Sequence, residues 1–505
     1  MTVGAVESWE KRALWAVLAL ALALRIYKLD APLWFDEIAT VVDFVRTPFG
    51  QLIGDYSSFN NHLFYSIQAK ISTLVFGEHP WSLRLPAMLF GVGSIYLVWR
   101  IARRFAAAKV ALFAALLLAV SYHHIWFSQN ARGYTELMFW SLAALAAFEA
   151  NRNNSDWRRW IIFAFCLAGA MYTHLTAAFF IGSLGLAWLA TLAARRFPRL
   201  APEALAAPAG AAQWTPFFGF ILGGVITVIL CLPAIPQMIS LISAVDDTVS
   251  VDVMAEYRSP VWSLMEGYRT LVGDSLLMAF AAPAAAIVVC IGAVSLWRRA
   301  PVFVLVALLQ APVTIIALSL VSMRIWPRFF FTEFAFASVF IAEGVFAIAV
   351  MLSAQAAQAG VKNLSSQRLF IAGAAVVLAA AVMMASRNYQ MPKQNFEAPL
   401  EVLANEGVKA QSIGVVGWAY APYLSFYEKD WTRLYEAADL AKLQPTDGHV
   451  WIVVAFPSRT SRANADIWAV LERDFDVAGA WPGSLGDGRV ILFRSKDQSA
   501  EMSSP

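Results

Sequence analysis

Charge is scarce in this sequence. Only 14% of its 505 residues are Asp, Glu, Lys or Arg, against about a quarter in a soluble domain, so one large water-soluble core is excluded. Cysteine is scarcer still. Cys166, Cys231 and Cys290 each lie in an apolar run, and no CxxC spacing points to zinc or to a redox pair. They read as buried bystander thiols. The last part of the chain has neither a phosphate-binding glycine loop nor a nucleophile motif. No internal repeat suggests the inverted halves of a transporter. The net charge of +3 says little alone, and nucleic acid is not an expected partner.

Apolar sequence is what the chain has in excess: hydrophobic residues make up 59%, with 19 Trp and 35 Phe. Runs fall near 13–29, 84–99, 110–127, 134–150, 160–176, 177–193, 216–237, 276–297, 301–321, 329–351 and 369–385. At about 20 residues per span they predict about eleven membrane helices. Lys11 and Arg12 precede the first run with no small-residue cleavage site behind it, so the run reads as an uncleaved helix.

Basic residues orient the bundle. Lys11/Arg12, Arg100/Arg103/Arg104/Lys109, Arg152/Arg158/Arg159, Arg195/Arg196/Arg199, Arg298/Arg299 and Lys362/Arg368 recur at every second loop. By the positive-inside rule these loops are cytoplasmic. An odd number of spans then places everything after 385 outside. There the composition changes: Ser412–Gly417, Val450–Phe456 and Arg489–Phe493 read as short strands and Ala463–Arg473 as a helix. The expected fold is therefore mostly α: a polytopic membrane bundle over 1–385, then a small extracytoplasmic α/β domain over 386–505. The tail Asp497–Pro505 reads as disordered.

The polar residues that could carry chemistry crowd the outer face. Asp36 and Glu37 follow the first helix, framed by Leu33-Trp34-Phe35, which suits an interface. Ile38–Val45 then reads as a helix lying at that interface. Asn60-Asn61-His62, His123-His124, Ser128 to Tyr134, His174 and Arg324 to Arg328 fall at the same depth. A later outer loop holds Asp246, Asp247, Asp252, Glu256 and Arg258, which read as solvated. Basic and imidazole donors beside a carboxylate pair can hold a phosphate while a carboxylate takes a proton. Glu136, four residues after Arg132, shares its helix face.

These segments resemble the GT-C glycosyltransferases, in particular the glycosyltransferase-39-like groups that include protein O-mannosyltransferases and lipid A aminoarabinose transferases. Leu33-Trp34-Phe35-Asp36-Glu37 is similar to their acidic first-loop signature. Asn61-His62-Leu63-Phe64-Tyr65 resembles H/K-P-P-L-Y-Y, and Arg84-Leu85-Pro86 with Gly91 resembles R-x-P…G. Ser128-Gln129-Asn130-Ala131-Arg132-Gly133-Tyr134 resembles S-Q-E-A-R-x-Y, and Pro327-Arg328-Phe329 resembles P-R-Y. The likeness spans about 30–345. Leu63-Phe64 stands where the family has two prolines, and Asn130 where it has a glutamate.

The resemblance implies transfer of a sugar from a polyprenyl-phosphate donor to a hydroxyl of a glycan, lipid or protein, on the outer face of the plasma (inner) membrane, with inversion. Asp36 is then the expected base, with Glu37 sharing the catalytic work. His62, Arg132, Tyr134, Glu136, His174 and Arg328 are the expected substrate-binding residues. No cofactor is implied with certainty, and a divalent metal ion stays open. The rival reading is a transporter or flippase of a lipid-linked saccharide, which would carry functional charges near the midplane and on both faces.

Overall fold

A computed structural model describes residues 7–496, apart from 200, 209, 244–253, 273–275, 362, 447 and 485. Asp246, Asp247, Asp252 and the 497–505 tail lie outside the described residues.

Each apolar run carries a helix, from Ser8–Ile26 to Ser366–Ser386. Among the described residues five helices are long and apolar enough to cross a membrane, or up to seven if each bent pair is one span. The expected count of about eleven is not reached by that measure, for two physical reasons. Some helices are short: Trp160–Thr173 has 14 residues, about 21 Å at 1.5 Å per residue, against a hydrocarbon layer of about 30 Å. Others are broken, as between Ala108–Ala119 and Tyr122–Ser128, which bend by 59°. The 160–193 stretch forms two helices, divided at His174. The protein is a multi-pass membrane protein whose helices pack around a core of Ala, Leu and Phe side chains.

Past the last long helix comes a five-stranded sheet: β1 (Ile413–Val416), β2 (Thr432–Leu434), β3 (Trp451–Ala455), β4 (Phe475–Trp481) and β5 (Val490–Ser495), in the order β2-β1-β3-β5-β4. β1 runs parallel to β2 and β3, and β5 is antiparallel to β3 and β4. The central strands β1 and β3 are buried throughout, which is why apolar runs reveal them. β2 is three residues long, and β4 buries only Phe475, so neither edge strand has an apolar run to betray it.

One face of the sheet shares a core with the first outer loop. Ile38, Val41 and Val45 pack in one cluster with Ile413, Val415, Tyr423 and Val453. The 38–45 segment therefore does not lie against lipid, as its composition suggests. It is an α-turn running into a π-helix, buried beneath the sheet. Each such side chain contributes roughly 1.5–3 kcal/mol of burial, enough to fix the sheet over the loop that bears Asp36.

Candidate active site

The short helix Phe35–Thr40 starts where its sequence dictates. Trp34 is the extended N-cap, and its backbone N–H donates to the Glu37 carboxylate at 3.2 Å. That one-sided cap, with Asp36 and Glu37 at the positive end of the helix, fixes the first turn. The two adjacent acids then point to different fates.

Glu37 is fully buried and its acceptor capacity is filled. Arg84 Nε donates to Oε1 and Nη2 to Oε2, both at 2.7 Å. The Ala131 N–H donates to Oε1 at 2.6 Å. Arg84 is equally committed: its Nη1 donates to Leu29 O at 2.7 Å and Ala31 O at 2.6 Å, and its Nη2 to Pro32 O at 3.1 Å. Five donors meet five acceptors, the full capacity of a guanidinium. Lys393, from the segment leading to the sheet, stands 3.9 Å from Glu37, donates to Gln129 O and lies over the Trp126 ring. Burial pushes the Glu37 carboxyl up, but Arg84, Lys393 and the Ala131 N–H outweigh it and hold it below the usual range. Burial likewise pushes Lys393 down to about 7, against the pull of Glu37.

Asp36 is the accessible acid, with 17% of its side chain exposed. Its Oδ2 faces Arg328 Nη1 at 3.2 Å and Arg132 Nη1 at 3.4 Å. Its Oδ1 accepts no hydrogen bond from a described residue. Pro327 opens the turn that carries Arg328, whose guanidinium sits over the Trp326 ring at 4.7 Å. Arg132 Nη2 reaches His62 Nε2 at 3.0 Å, and the Gly133 N–H donates to His62 Nδ1 at 3.0 Å. Arg132 also donates to Asn60. The Nε atoms of Arg132 and Arg328 are buried without a hydrogen-bond partner.

Gly133 makes this contact possible. A Cβ there would stand 2.7 Å from Thr173 Cγ2 and 2.9 Å from His62 Nδ1, so any side chain would push the His62 ring away. Burial, then the charges of Arg132 and Arg328, hold His62 neutral, well below its usual range. A neutral imidazole accepts at one nitrogen only, yet both of its nitrogens face donors.

Asp36, His62, Arg132 and Arg328 thus come together from four separate segments. His174 and Tyr134 form the floor: the His62 ring is 4.4 Å from His174 and 4.9 Å from Tyr134. His174 Nδ1 is taken by Thr176, whose N–H donates to it at 3.1 Å. Glu136 is not brought to Arg132. Arg132 precedes the helix Tyr134–Asn151, so the expected i, i+4 face does not exist, and Glu136 accepts instead from Gln68 and from Trp140. Asn130 accepts from Trp34 Nε1 at 3.0 Å, so it braces the first loop. Glu256 pairs with Arg462 at 2.6 Å, tying its loop to the helix Pro457–Ala463 that follows β3. Among the described residues no group of three or more His, Cys, Asp or Glu could hold a metal ion.

The sequence reading missed three bracing residues. Arg84 was visible within Arg84-Leu85-Pro86, but not as the partner of Glu37. Lys393, and Gln394, whose side chain accepts from the Phe35 N–H at 3.0 Å, sit in a polar linker that gives no signal.

Comparison with known proteins agrees with this architecture. Residues 63–209, less than half of the chain, match the family described as Dolichyl-phosphate-mannose-protein mannosyltransferase. Among curated protein sequences no similar one is found. The structure is similar to apo ArnT from Cupriavidus metallidurans, with TM-score 0.53 at 12% identity, covering 97% of this chain and 98% of that one. It is also similar to the oligosaccharyltransferase AglB from Archaeoglobus fulgidus in complex with an inhibitory peptide and a dolichol-phosphate. There the TM-score is 0.54 at 12% identity, covering 99% of this chain and 75% of that one. The fold is that of the GT-C class.

Proposed function

We propose that this protein is a membrane glycosyltransferase that moves a sugar from a polyprenyl-phosphate donor to an acceptor hydroxyl at the outer face of the plasma membrane. The observation that carries the reading is Asp36 Oδ2 shared between Arg328 and Arg132. Two guanidinium groups against one carboxylate leave one positive charge in excess, beside two buried and unpartnered Nε–H donors. An arriving phosphate supplies the missing acceptors, and fork-shaped donors suit it. It would also relieve His62, whose one N–H has no acceptor while donors face both ring nitrogens.

The chemistry follows from the groups present. The leaving prenyl phosphate is already anionic and needs no general acid. Its growing charge is met by Arg328, Arg132 and the His62 N–H. Asp36 Oδ1, unengaged, takes the proton of the acceptor hydroxyl as the oxygen attacks the anomeric carbon. Attack opposite the phosphate inverts that carbon. Glu37 holds the frame and takes no proton, because its carboxylate is enclosed by donors. The match to a dolichyl-phosphate-mannose-dependent family and the dolichol-phosphate in AglB support a lipid-carried donor.

The acceptor is a glycan, lipid or protein of the cell envelope. Mass spectrometry of envelope glycans, lipids and proteins from a deletion strain tests the reading. Loss of one sugar from one envelope component, restored by the wild-type gene and not by Asp36→Asn, is expected. A transporter would instead accumulate its cargo on the cytoplasmic side and tolerate Asp36→Asn.

A further inference from the structure

The sheet carries a cleft of its own, outside the Asp36 cluster. It has a volume of about 260 Å³ and is lined by Gly417, Trp418, Tyr420, Arg433, Tyr435 and Asn464. It opens at the carboxyl ends of the parallel strands β1 and β2, where open α/β sheets place their ligands. Gly417 lets β1 turn sharply there. Its φ is +57°, and a Cβ would stand 2.9 Å from Thr460 Oγ1.

The chemistry of the cleft is unusual for a mere edge. Arg433 lies 3.7 Å from the centre of the Tyr420 ring and 4.6 Å from that of Tyr435. Two rings cover the guanidinium, yet it has no hydrogen bond or ion pair to a described residue. Its in-plane N–H donors are left for an outside acceptor, and they match a carboxylate or phosphate in pairs. Tyr435 is 64% exposed, a large ring left open beside that cation. A ring face beside a fixed cation suits a pyranose, whose C–H face stacks on aromatics while its acidic group meets the arginine.

One wall of the cleft belongs to the sheet face that packs on the first outer loop. Arg433 is in register with Val415, and registered residues of parallel strands point to one face. That face is the one packed on Ile38 and Val41. The Trp418 ring touches Phe456 at 6.4 Å, and Phe456 touches Phe35, next to Asp36, at 5.3 Å.

We propose that this cleft binds an anionic sugar, one carrying a carboxylate or a phosphate, and holds it beside the loop of Asp36. The inference concerns binding alone and does not depend on Asp36 acting as a base. It is tested with the full chain in nanodiscs by saturation-transfer NMR. Glucuronate, glucose 1-phosphate and neutral glucose are the probes. Saturation of the ring protons of either anionic sugar is expected, with glucose weaker by roughly tenfold or more. Arg433→Gln and Tyr435→Ala should each abolish most of it. Tyr435→Ala alters an exposed side chain, so its effect cannot come from misfolding. Response to glucuronate alone marks a carboxylate site and to glucose 1-phosphate alone a phosphate site; either supports the proposal. No transfer to either sugar, equal transfer to glucose, or transfer that survives both substitutions overturns it.

Discussion

Adjacent carboxylates with opposite roles allow a sharp comparison of Glu37→Gln with Asp36→Asn. Each replacement keeps shape and removes one charge. At Glu37 the new amide brings two N–H donors against Arg84, which is itself only 2% exposed. One of the two 2.7 Å charge-assisted bonds is lost, because a guanidinium cannot accept from the new amide N–H, and the other becomes a bond to a neutral oxygen; a buried guanidinium is left without its counter-charge. Breaking such a pair costs about 3–5 kcal/mol. At Asp36 the partner Arg328 is 30% exposed, so water screens the loss, and Arg132 keeps Asn60 and His62; about 1 kcal/mol or less is expected. The assay heats each detergent-solubilised variant and follows the monodisperse fraction by size exclusion. Glu37→Gln should lower the apparent melting temperature by roughly 5 °C or more, while Asp36→Asn stays close to wild type. If Glu37→Gln proves as stable as wild type, Glu37 is not the brace described here. Its retention of the fold with loss of turnover would return it to the chemistry.

Arg328→Ala should weaken donor binding and turnover together, and Arg328→Lys should restore only part, because the planar fork is lost; donor-binding and turnover assays on both variants check this. Lys393 has its folded pKa depressed from 10.5 to about 7, so the unfolded chain binds more protons between those values and stability should rise with pH across that window; thermal scans at pH 6 and pH 9 should show the rise, and Lys393→Met should flatten it. Glu37 has a folded pKa below its ordinary 4.5, so its contribution is present above pH 4.5 and is lost only as acid passes through the lower folded value, which an acid titration of stability would trace. A cysteine at the exposed position Asp430 should react with an impermeant thiol reagent in intact spheroplasts; labelling only after lysis would contradict an outer sheet domain.

The parts legible in the sequence were those with a local signature. Apolar runs marked the helices, and continuous burial marked β1 and β3. Asp36, His62, Arg132 and Arg328 stood out because loop order assigns these polar residues to one expected membrane depth. Pairing was not readable. Nothing local distinguishes Asp36 from Glu37, since their separation comes from Arg84, 47 residues on, and from the Ala131 N–H. The Glu136 expectation failed at a helix boundary: the helix begins at Tyr134, two residues too late for Arg132 to share its face. The number of spans is not confirmed for a similar reason, because breaks and short helices hide inside runs of unbroken hydrophobicity.

In the proposed reaction Asp36 accepts the acceptor's proton while Arg132, Arg328 and His62 hold the phosphate. The most direct test is transfer in proteoliposomes with a prenyl-phosphate sugar and envelope acceptors, following prenyl-phosphate release and donor binding separately. Asp36→Asn should bind donor as wild type does, with release slowed by a factor of ~10² to 10⁴. Release near the wild-type rate in Asp36→Asn would show that Asp36 is not the base.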